Sequence, residues 1–185
     1  MTTPTRTHAD GPDERSIGLD AGTGGSPGGT GRLMPDATLP MAGGGALSLD
    51  RYRPRWNLVL VMLGAPAVSP SAARLLTALA AARADVEAED GQVLAIGAGA
   101  PPALPNDWAW PFPLAFDVDG SLHRHVGSID DAGAPAMALY ITDPYREIFA
   151  VLRPFEPGWP ENAGDVLQWL RFVNIQCPEC AVPDR

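Results

Sequence analysis

Residues 57–98 read NLVLVMLGAPAVSPSAARLLTALAAARADVEAEDGQVLAIGA. The segment Asn57–Leu63 is a continuous apolar run between turn residues, which is typical of a central strand buried on both faces. Ser69 and Pro70 then supply a helix cap and a first-turn proline. Apolar residues recur at helical spacing after them: Leu75, Leu76, Leu79, Ala82 and Val86. Gln92–Ala98 is a second apolar strand, so the order strand, helix, strand predicts a parallel βαβ unit.

Two more strands and a helix are predicted downstream. The segments Ala136–Ile141 and Glu147–Leu152 have strand composition and are separated by TDPYR, which favours a hairpin. A last helix is predicted from about Glu161 to Ile175, with Val166, Trp169, Leu170 and Val173 on one face. The order βαβ followed by ββα is that of a thioredoxin-like fold, an α/β architecture with a mixed central sheet flanked by helices.

The two ends of the chain differ from this core in composition. Residues 1–32 contain eight glycines, no aromatic residue and no apolar periodicity. We therefore predict a disordered tail over residues 1–32, a domain over residues 33–175 and a C-terminal segment over residues 176–185. Within the domain, Met34–Pro40 is predicted to be a short extended segment, and Gly43–Leu49 a turn that leads into a second one.

Charge and hydropathy exclude several classes of function. The formal net charge is −9, and all thirteen basic residues are arginine. The absence of lysine excludes a Schiff-base or pyridoxal-phosphate enzyme and a P-loop whose lysine contacts a nucleotide. The acidic balance argues against nucleic acid and anionic membranes as partners. No apolar run is long enough to span a bilayer, and the first residues lack the apolar stretch of a secretory signal, so a cytoplasmic location is expected.

Three segments resemble a known family. MPDATLPMAGGGALSLDRYRPRWNLVLVML, residues 34–63, resembles the opening of a peroxiredoxin of the alkyl hydroperoxide reductase and thiol-specific antioxidant class. FPLAFDVDGSLHRHVG, residues 112–127, and ALYITDPYREIFAVL, residues 138–152, resemble later segments of the same family in the same order. The resemblance covers about residues 33–175 and implies a thioredoxin-like fold with thiol redox or antioxidant chemistry.

The resemblance fails at the residues that carry the family's chemistry. Such a protein needs a thiolate at the start of the first core helix, a threonine three residues earlier and an arginine across the pocket. The register of NLVLVML puts Ser71 at the cysteine position and Val68 at the threonine position, and residues 135–141 contain no arginine. A serine hydroxyl is scarcely ionised at neutral pH, so conventional peroxidase activity is not expected.

The only cysteines are Cys177 and Cys180, in the sequence CPEC. Their spacing allows an intramolecular disulfide or two ligands on one metal ion. In the redox hypothesis one of them attacks the disulfide of a partner protein and the other resolves the mixed disulfide. The negative end of the last helix and Glu179 both disfavour the thiolate, so two unreactive cysteines on a non-catalytic, protein-binding scaffold are the competing hypothesis.

A metal half-site is a third hypothesis for CPEC. A mononuclear zinc site would need two more ligands, and besides carboxylates the chain offers only His8, His123 and His125. His123 and His125 share a face if their segment is extended, and we predict them to be solvated surface residues. Two chains could instead join their cysteine pairs in one tetrahedral site. The sequence thus allows a homodimer, and we expect no cofactor and no metal site of the single chain.

Other conspicuous residues receive ordinary structural interpretations. The sequence DVDG at residues 117–120 is predicted to be a turn and not a calcium loop, because the later acidic ligand is missing. The glycines of residues 22–31 follow no strand, so they form no phosphate cradle. A group of arginines before the first core strand is predicted to be solvated: Arg51, Arg53 and Arg55. A group of aromatic residues is predicted to cover the core or, alternatively, a cleft: Trp108, Trp110, Phe112 and Trp159.

Overall fold

The computed structural model describes residues 29–64, 69–101 and 110–176. Its strands are β1 (Thr38–Pro40), β2 (Ala46–Ser48), β3 (Asn57–Met62), β4 (Gly91–Ala98), β5 (Leu114–Asp117), β6 (Ala138–Thr142) and β7 (Ile148–Leu152). Its α-helices are α1 (Pro70–Ala81), α2 (Arg83–Ala88), α3 (Ser121–Val126) and α4 (Ala163–Gln176). A short 3-10 helix, Leu49–Tyr52, leads from the β1–β2 hairpin to β3.

Five strands form one mixed sheet in the order β5-β4-β3-β6-β7. The strands β3, β4 and β5 are parallel, whereas β6 runs antiparallel to β3 and β7 antiparallel to β6. The predicted βαβ unit, the β6–β7 hairpin and the last helix are confirmed, and so is the thioredoxin-like arrangement. We call the edge of the sheet where β3 begins its amino edge, and the edge where β3 ends its carboxyl edge.

The central strand β3 is buried at every position, as the continuous apolar run predicts. Val59 and Val61 pack in the core beneath α1, α2 and α4. Leu58, Leu60 and Met62 point the other way, into the core formed with the β1–β2 hairpin and α3. Because both faces of the sheet are covered, the sequence of β3 is apolar throughout and does not alternate.

The helix predicted from residue 70 through Val86 is in fact two helices. Ala82 leaves helical geometry, with φ −95° and ψ 15°, and α2 begins directly after it. The break brings Val86 onto the start of β4, where a Cβ at Gly91 would lie 2.8 Å from side-chain atoms of both Val86 and Leu170. Only glycine therefore lets α2 and α4 approach this strand so closely.

Two elements are absent from the sequence-based prediction. The strand β5 has four residues and α3 has six, and both lie between residues 112 and 127. Each is too short for its periodicity to stand out from the turn residues around it. Together they place Asp117 at the carboxyl edge of the sheet and bring the His123 ring within hydrogen-bond distance of its carboxyl group.

The first described residues of the chain are hydrogen-bonded to β7. Gly31 N–H donates to the carbonyl of Ile148 at 2.8 Å, and Ile148 N–H donates to the carbonyl of Arg32 at the same distance. Gly31 and Arg32, which the sequence assigns to the tail, thus contact the domain, and the boundary at residue 33 stays a prediction. Residues 1–28 of the predicted tail lie outside the described residues.

A polar cluster fixes the C-terminal end of α4 to the amino edge. Asn57, the first residue of β3, is buried and donates from Nδ2 to Oδ1 of Asn174 at 2.7 Å. Asn174 Nδ2 donates to the carbonyl of Glu89 at 3.2 Å, and Arg171 Nε donates to the Glu89 carboxylate at 2.7 Å. The last residue of α4, Gln176, therefore lies at the edge where β3 begins.

Tyr140 makes the stability of this core sensitive to alkaline pH. Its side chain is fully buried and its hydroxyl donates to the carbonyl of Val126 at 2.7 Å. Burial raises the pKa of Tyr140 from 10.0 to about 12. Between these values the unfolded chain loses the phenolic proton while the folded chain keeps it, so stability falls as pH rises through this window. The difference between the folded and unfolded pKa corresponds to about 3 kcal/mol of stability.

We expect Tyr140→Phe to remove most of this loss of stability between pH 10 and 12, because phenylalanine has no proton to lose. The variant should also be about 1 kcal/mol less stable at neutral pH, since the hydrogen bond to Val126 is gone. Urea unfolding at a series of pH values measures both effects. Tyr145→Phe, at a half-buried tyrosine of the hairpin turn, is the matched control. If the free energy of unfolding of Tyr140→Phe falls between pH 10 and 12 as steeply as that of the wild type, the raised pKa of Tyr140 is contradicted.

Candidate functional site

The carboxyl edge of the sheet leads into the N-terminus of α1. Ser69 caps this helix, because its Oγ accepts the N–H of Ala72 at 3.1 Å, and Pro70 follows in the first turn as predicted. Residue Ser71 therefore lies in the first turn of the first core helix. Val68, the other residue of the predicted degenerate site, lies outside the described residues.

Ser71 lines a surface cleft of about 300 Å³. The other lining residues come from α1 and from the segment between β7 and α4: Arg74, Pro154, Phe155, Trp159 and Glu161. The Arg74 guanidinium donates to Ser71 Oγ at 3.4 Å. Phe155 is 100% exposed and has a φ of +68°, which is unusual for a bulky residue. The cleft thus combines a hydroxyl, a guanidinium and an exposed aromatic ring.

The opposite wall of the α1 N-terminus comes from the segment just before β6. The hydroxyl of Ser69 donates to Sδ of Met137 at 3.7 Å, and a Cβ at Gly64 would lie 3.0 Å from the carbonyl of Pro135. Pro135 and Met137, from the segment in which the resemblance implies an arginine, therefore lie beside Gly64 and Ser69. The side chain that contacts Ser69 is a thioether, which carries no positive charge to stabilise a thiolate or a peroxide anion.

None of the described residues that line the cleft is a cysteine. The chain's two cysteines follow α4, which covers the same face of the sheet as α1 but ends at the amino edge, whereas Ser71 lies at the carboxyl edge. Cys177 and Cys180 lie outside the described residues. Within the described part of α4 the helix continues to Gln176, directly before Cys177.

The prediction for His123 is wrong. Its side chain is fully buried, with Nδ1 2.7 Å from Asp117 Oδ2 and Nε2 3.1 Å from the carbonyl oxygen of Leu63. An extended segment would put His123 and His125 on one face, but the segment forms α3, so the two histidines lie on different faces of a helix. Only His125 is exposed, as predicted, and it borders a shallow hollow beside Asp36 and Thr38.

Asp117 and His123 form one buried unit that joins three elements. Asp117 Oδ2 also accepts the backbone N–H of His123 at 2.8 Å, so it caps α3 from the end of β5. The carbonyl of Leu63 can only accept, so Nε2 donates to it. The contact between Nδ1 and Asp117 then requires one further proton, on the ring or on the carboxyl group. Asp117 Oδ1 is buried and has no hydrogen-bond partner among the described residues.

This unit is the part of the site that sequence reasoning misses. It fixes the carboxyl end of β3 at Leu63, one residue before Gly64 and the approach to α1. An aspartate followed six residues later by a histidine belongs to no recognised spacing. The available signal is that Asp117 follows a short apolar stretch and precedes a helix, which is the position of a capping carboxylate.

The remaining predictions concern single loops. The DVDG sequence is a turn, as predicted: Gly120 has a φ of +69° and Asp119 Oδ1 accepts the N–H of Ser121 at 2.9 Å. Hydrogen bonds from the side chain and backbone of Ser121 lower the pKa of Asp119. The arginines before β3 are exposed, and Arg55 lies 4.7 Å above the ring of Trp56.

The aromatic residues cover the core. Trp110 stacks on Phe112 with 6.4 Å between ring centroids, and both pack against the main core together with Trp159. Trp159 also lines the cleft beside Ser71. Trp108 lies outside the described residues.

Among residues 29–64, 69–101 and 110–176, no three histidine, cysteine or acidic side chains are grouped so as to bind a metal ion. In the same part of the chain no helix is long and apolar enough to cross a membrane.

No protein-family model and no curated protein matches the chain. Solved structures do match it. AhpC of Mycobacterium bovis is 18% identical, with a TM-score of 0.63 over 78% of this chain and 96% of its own. AhpC of Enterococcus faecalis is 16% identical, with a TM-score of 0.66 over 84% of this chain and 98% of its own. The peroxidoxin BcpB of Mycobacterium tuberculosis is 18% identical, with a TM-score of 0.61 over 77% and 96%. These similarities confirm the predicted fold, a thioredoxin-like fold of the kind found in peroxiredoxins.

Proposed function

We propose that this protein is a thiol–disulfide oxidoreductase that uses Cys177 and Cys180 on a peroxiredoxin-like fold. The observation that carries the proposal is the position of Ser71 in the first turn of α1, where the fold would otherwise present its reactive thiol. The solved structures with the same fold are named as peroxidoxin, peroxiredoxins and AhpC proteins, which supports thiol redox chemistry. In this chain, thiol–disulfide exchange then depends on Cys177 and Cys180.

The proposed site is joined to the end of α4 at the amino edge, whereas the cleft with Ser71 lies at the N-terminus of α1, at the carboxyl edge. The strand β3 has six residues and so spans about 17 Å between the two edges. Cys177 is joined to Gln176 and cannot lie more than about 3.8 Å from it between Cα atoms. Cys180 lies within about 14 Å of Gln176 even in a fully extended chain. Cys177 therefore stays near the amino edge, and we propose that the partner protein docks there.

The reaction conserves electrons and protons. The thiolate of one cysteine attacks a disulfide sulfur of the partner, forming a mixed disulfide and releasing the partner's other sulfur as a thiolate that takes up a proton. The second cysteine, once deprotonated, attacks the mixed disulfide and frees the partner's remaining sulfur. The partner is reduced by two electrons, and Cys177–Cys180 is left as a disulfide.

The test is a redox titration of the pair. The full-length chain is equilibrated in glutathione buffers, alkylated and weighed, and we expect one intramolecular disulfide with a midpoint potential on the order of −180 to −270 mV. Failure to form the bond at any glutathione ratio would contradict the proposal. So would stoichiometric zinc in the purified protein that is lost in Cys177→Ser, because that result indicates the metal half-site.

Peroxide consumption is expected to be absent. The hydroxyl of Ser71 is not ionised, and Met137 offers no charge across from it, so the cleft cannot reduce a peroxide bond. Purified protein with a thioredoxin-type reductant should leave hydrogen peroxide at the level of a protein-free control. Rapid consumption that persists in the Cys177→Ser, Cys180→Ser double variant would overturn both this expectation and the placement of Ser71.

A second candidate function is protein binding without catalysis. The observation that favours it is the cleft itself, in which fully exposed Phe155 stands beside Trp159 and the guanidinium of Arg74. An aromatic side chain and an arginine at one concave surface are typical of interface hot spots. A binding scaffold predicts that a partner captured by the wild-type chain is still captured by the double cysteine variant and is lost in Phe155→Ser.

A further inference from the structure

The short segment directly before β3 carries three exposed arginines. The six residues that precede the strand read RYRPRW, in a chain whose formal net charge is −9. Arg51, Arg53 and Arg55 are exposed, whereas Tyr52 and Trp56 are half-buried against the core formed with the β1–β2 hairpin and α3. The carbonyl oxygen of Tyr52 accepts the N–H groups of Arg55 and Trp56 at 3.1 and 3.0 Å, so the segment forms a tight turn. Positive charge is thus concentrated at one place on the surface of an acidic protein.

Two of these three guanidinium groups have no carboxylate partner. Arg53 Nη1 lies 3.8 Å from Oδ1 of Asp50, whereas Arg51 and Arg55 form no ion pair within the described part of the chain. Each of the two lies instead over the aromatic ring of the residue that follows it. The distance from Cζ to the ring centroid is 5.6 Å for Arg51 and 4.7 Å for Arg55. Stacking orders a guanidinium group without using its N–H donors, which can still bind a carboxylate in a bidentate pair.

The residue types of the segment favour a protein as the molecule that binds it. Arginine, tyrosine and tryptophan are the residues most enriched at the hot spots of protein–protein interfaces. A nucleic acid or an anionic membrane would bring an extended array of phosphates, which a chain of net charge −9 repels. A short acidic segment of a protein brings only a few carboxylates, and charges farther away than about 8 Å are largely screened at physiological salt. The arginines therefore fit a short run of acidic side chains.

The segment lies at the same edge of the sheet as the end of α4. Trp56 directly precedes Asn57, whose Nδ2 donates to Oδ1 of Asn174 at 2.7 Å. Asn174 is two residues before Gln176, with which α4 ends. The amino edge thus connects the arginines to the helix that leads into Cys177.

We infer that Arg51, Arg53 and Arg55 form a docking surface for an acidic segment of the protein whose disulfide is exchanged. The guanidinium groups of Arg51 and Arg55 bind carboxylates of that segment, and the ring beneath each of them holds it in place. The identity of the partner as an exchange substrate rests on the proposed function, whereas binding at this arginine surface does not involve the cysteines.

Binding of a labelled hexaglutamate peptide to the full-length chain tests the arginine surface without any redox step. Fluorescence anisotropy at physiological ionic strength measures the affinity. We expect Arg55→Gln to weaken binding severalfold and the double variant Arg51→Gln, Arg55→Gln to weaken it about tenfold. Arg55→Lys keeps the charge but loses the planar fork, so it should weaken binding as well. Arg124→Gln removes the same charge from an exposed residue of α3 and should leave the affinity unchanged.

Disulfide exchange tests whether the molecule that docks is the substrate. Two symmetric peptide disulfides, identical except that one carries glutamates where the other carries glutamines, are mixed with pre-reduced protein at low concentration. The release of peptide thiol should be about tenfold faster from the glutamate disulfide, and the double arginine variant should lose this preference. The net charge of −9 alone predicts the opposite order, because it repels the glutamate peptide and not the glutamine peptide.

Three results would overturn the inference. Equal binding of hexaglutamate by the wild type and the double arginine variant would refute the arginine surface while leaving the proposed function intact. Tighter binding of an oligonucleotide or of anionic phospholipid vesicles, lost in the same variant, would assign the surface to phosphates and not to a protein. Hexaglutamate binding that depends on the arginines, in a chain that exchanges with neither peptide disulfide, would refute the proposed function and the partner's role as its substrate.

Discussion

Replacing His123 with leucine is expected to lower the free energy of unfolding by about 3 to 5 kcal/mol, because the buried Asp117 side chain loses the imidazole and keeps only the backbone N–H of residue 123 as a partner. The side chains of both residues are essentially inaccessible, and the Nδ1–Oδ2 distance of 2.7 Å is that of a strong hydrogen bond. The loss also frees the carbonyl of Leu63, which His123 holds at 3.1 Å. Urea unfolding followed by circular dichroism measures the change.

The neighbouring histidine provides the control. His125→Leu changes the same side-chain type on the same helix, but at an exposed position, and should alter the free energy of unfolding by less than about 0.5 kcal/mol. If His123→Leu does not fold, the double variant Asp117→Leu, His123→Leu keeps the prediction testable. It removes the unpaired carboxylate and should be more stable than His123→Leu alone. A His123→Leu chain as stable as His125→Leu would refute the buried pair.

The burial of His123 shows where sequence reasoning fails in this fold. The run of β3, the β6–β7 hairpin and α4 are predictable, because each is long enough for its apolar period or its turn residues to identify it. The strand β5 and the helix α3 are not, and the surroundings of His123 depend on both. Its burial follows from contacts with Asp117 and with Leu63, sixty residues earlier in the chain, and no local pattern encodes such a contact.

The cleft shows a similar division. Ser71 lies in the first turn of α1, and its correspondence to the family's cysteine position stays a prediction from the register of the preceding strand. Pro135 and Met137 lie beside Gly64 and Ser69, in the segment to which the resemblance points. The aromatic and charged lining does not, because Phe155 and Trp159 reach the cleft from an irregular segment more than eighty residues away. The left-handed backbone of Phe155 has no signature in the sequence.

At the amino edge, the sequence predicts which residues follow the last helix but not where in the fold that helix ends. The cysteine spacing predicts a pair that follows the last helix, but the location of that helix end depends on three side chains that fix it to β3 and the α2–β4 turn. Asn57, Glu89 and Asn174 are far apart in sequence and ordinary in type. Their hydrogen bonds fix the end of α4, the last described residue of which directly precedes Cys177, at the amino edge.

Single replacement of Cys177 or Cys180 is expected to abolish multiple-turnover reduction of a protein disulfide, whereas Ser71→Ala should retain the wild-type rate. The chain has no third thiol, so a variant with one cysteine can form a mixed disulfide but cannot resolve it. Ser71 lies in the first turn of α1 at the carboxyl edge, whereas α4 ends at the amino edge directly before Cys177, so the Ser71 hydroxyl is expected to take no part in exchange. Insulin reduction at a fixed dithiothreitol concentration measures the rate.

The order of attack can be resolved in the same experiment. The variant that retains the attacking cysteine should accumulate a mixed disulfide with the substrate, visible by mass without reductant, and the other variant should not. Because the negative end of α4 lies next to Cys177, the thiolate of Cys180 is the less disfavoured of the two, and Cys177→Ser should be the variant that traps the substrate. Full activity in either single variant, or loss of activity in Ser71→Ala, would place the chemistry outside the CPEC pair.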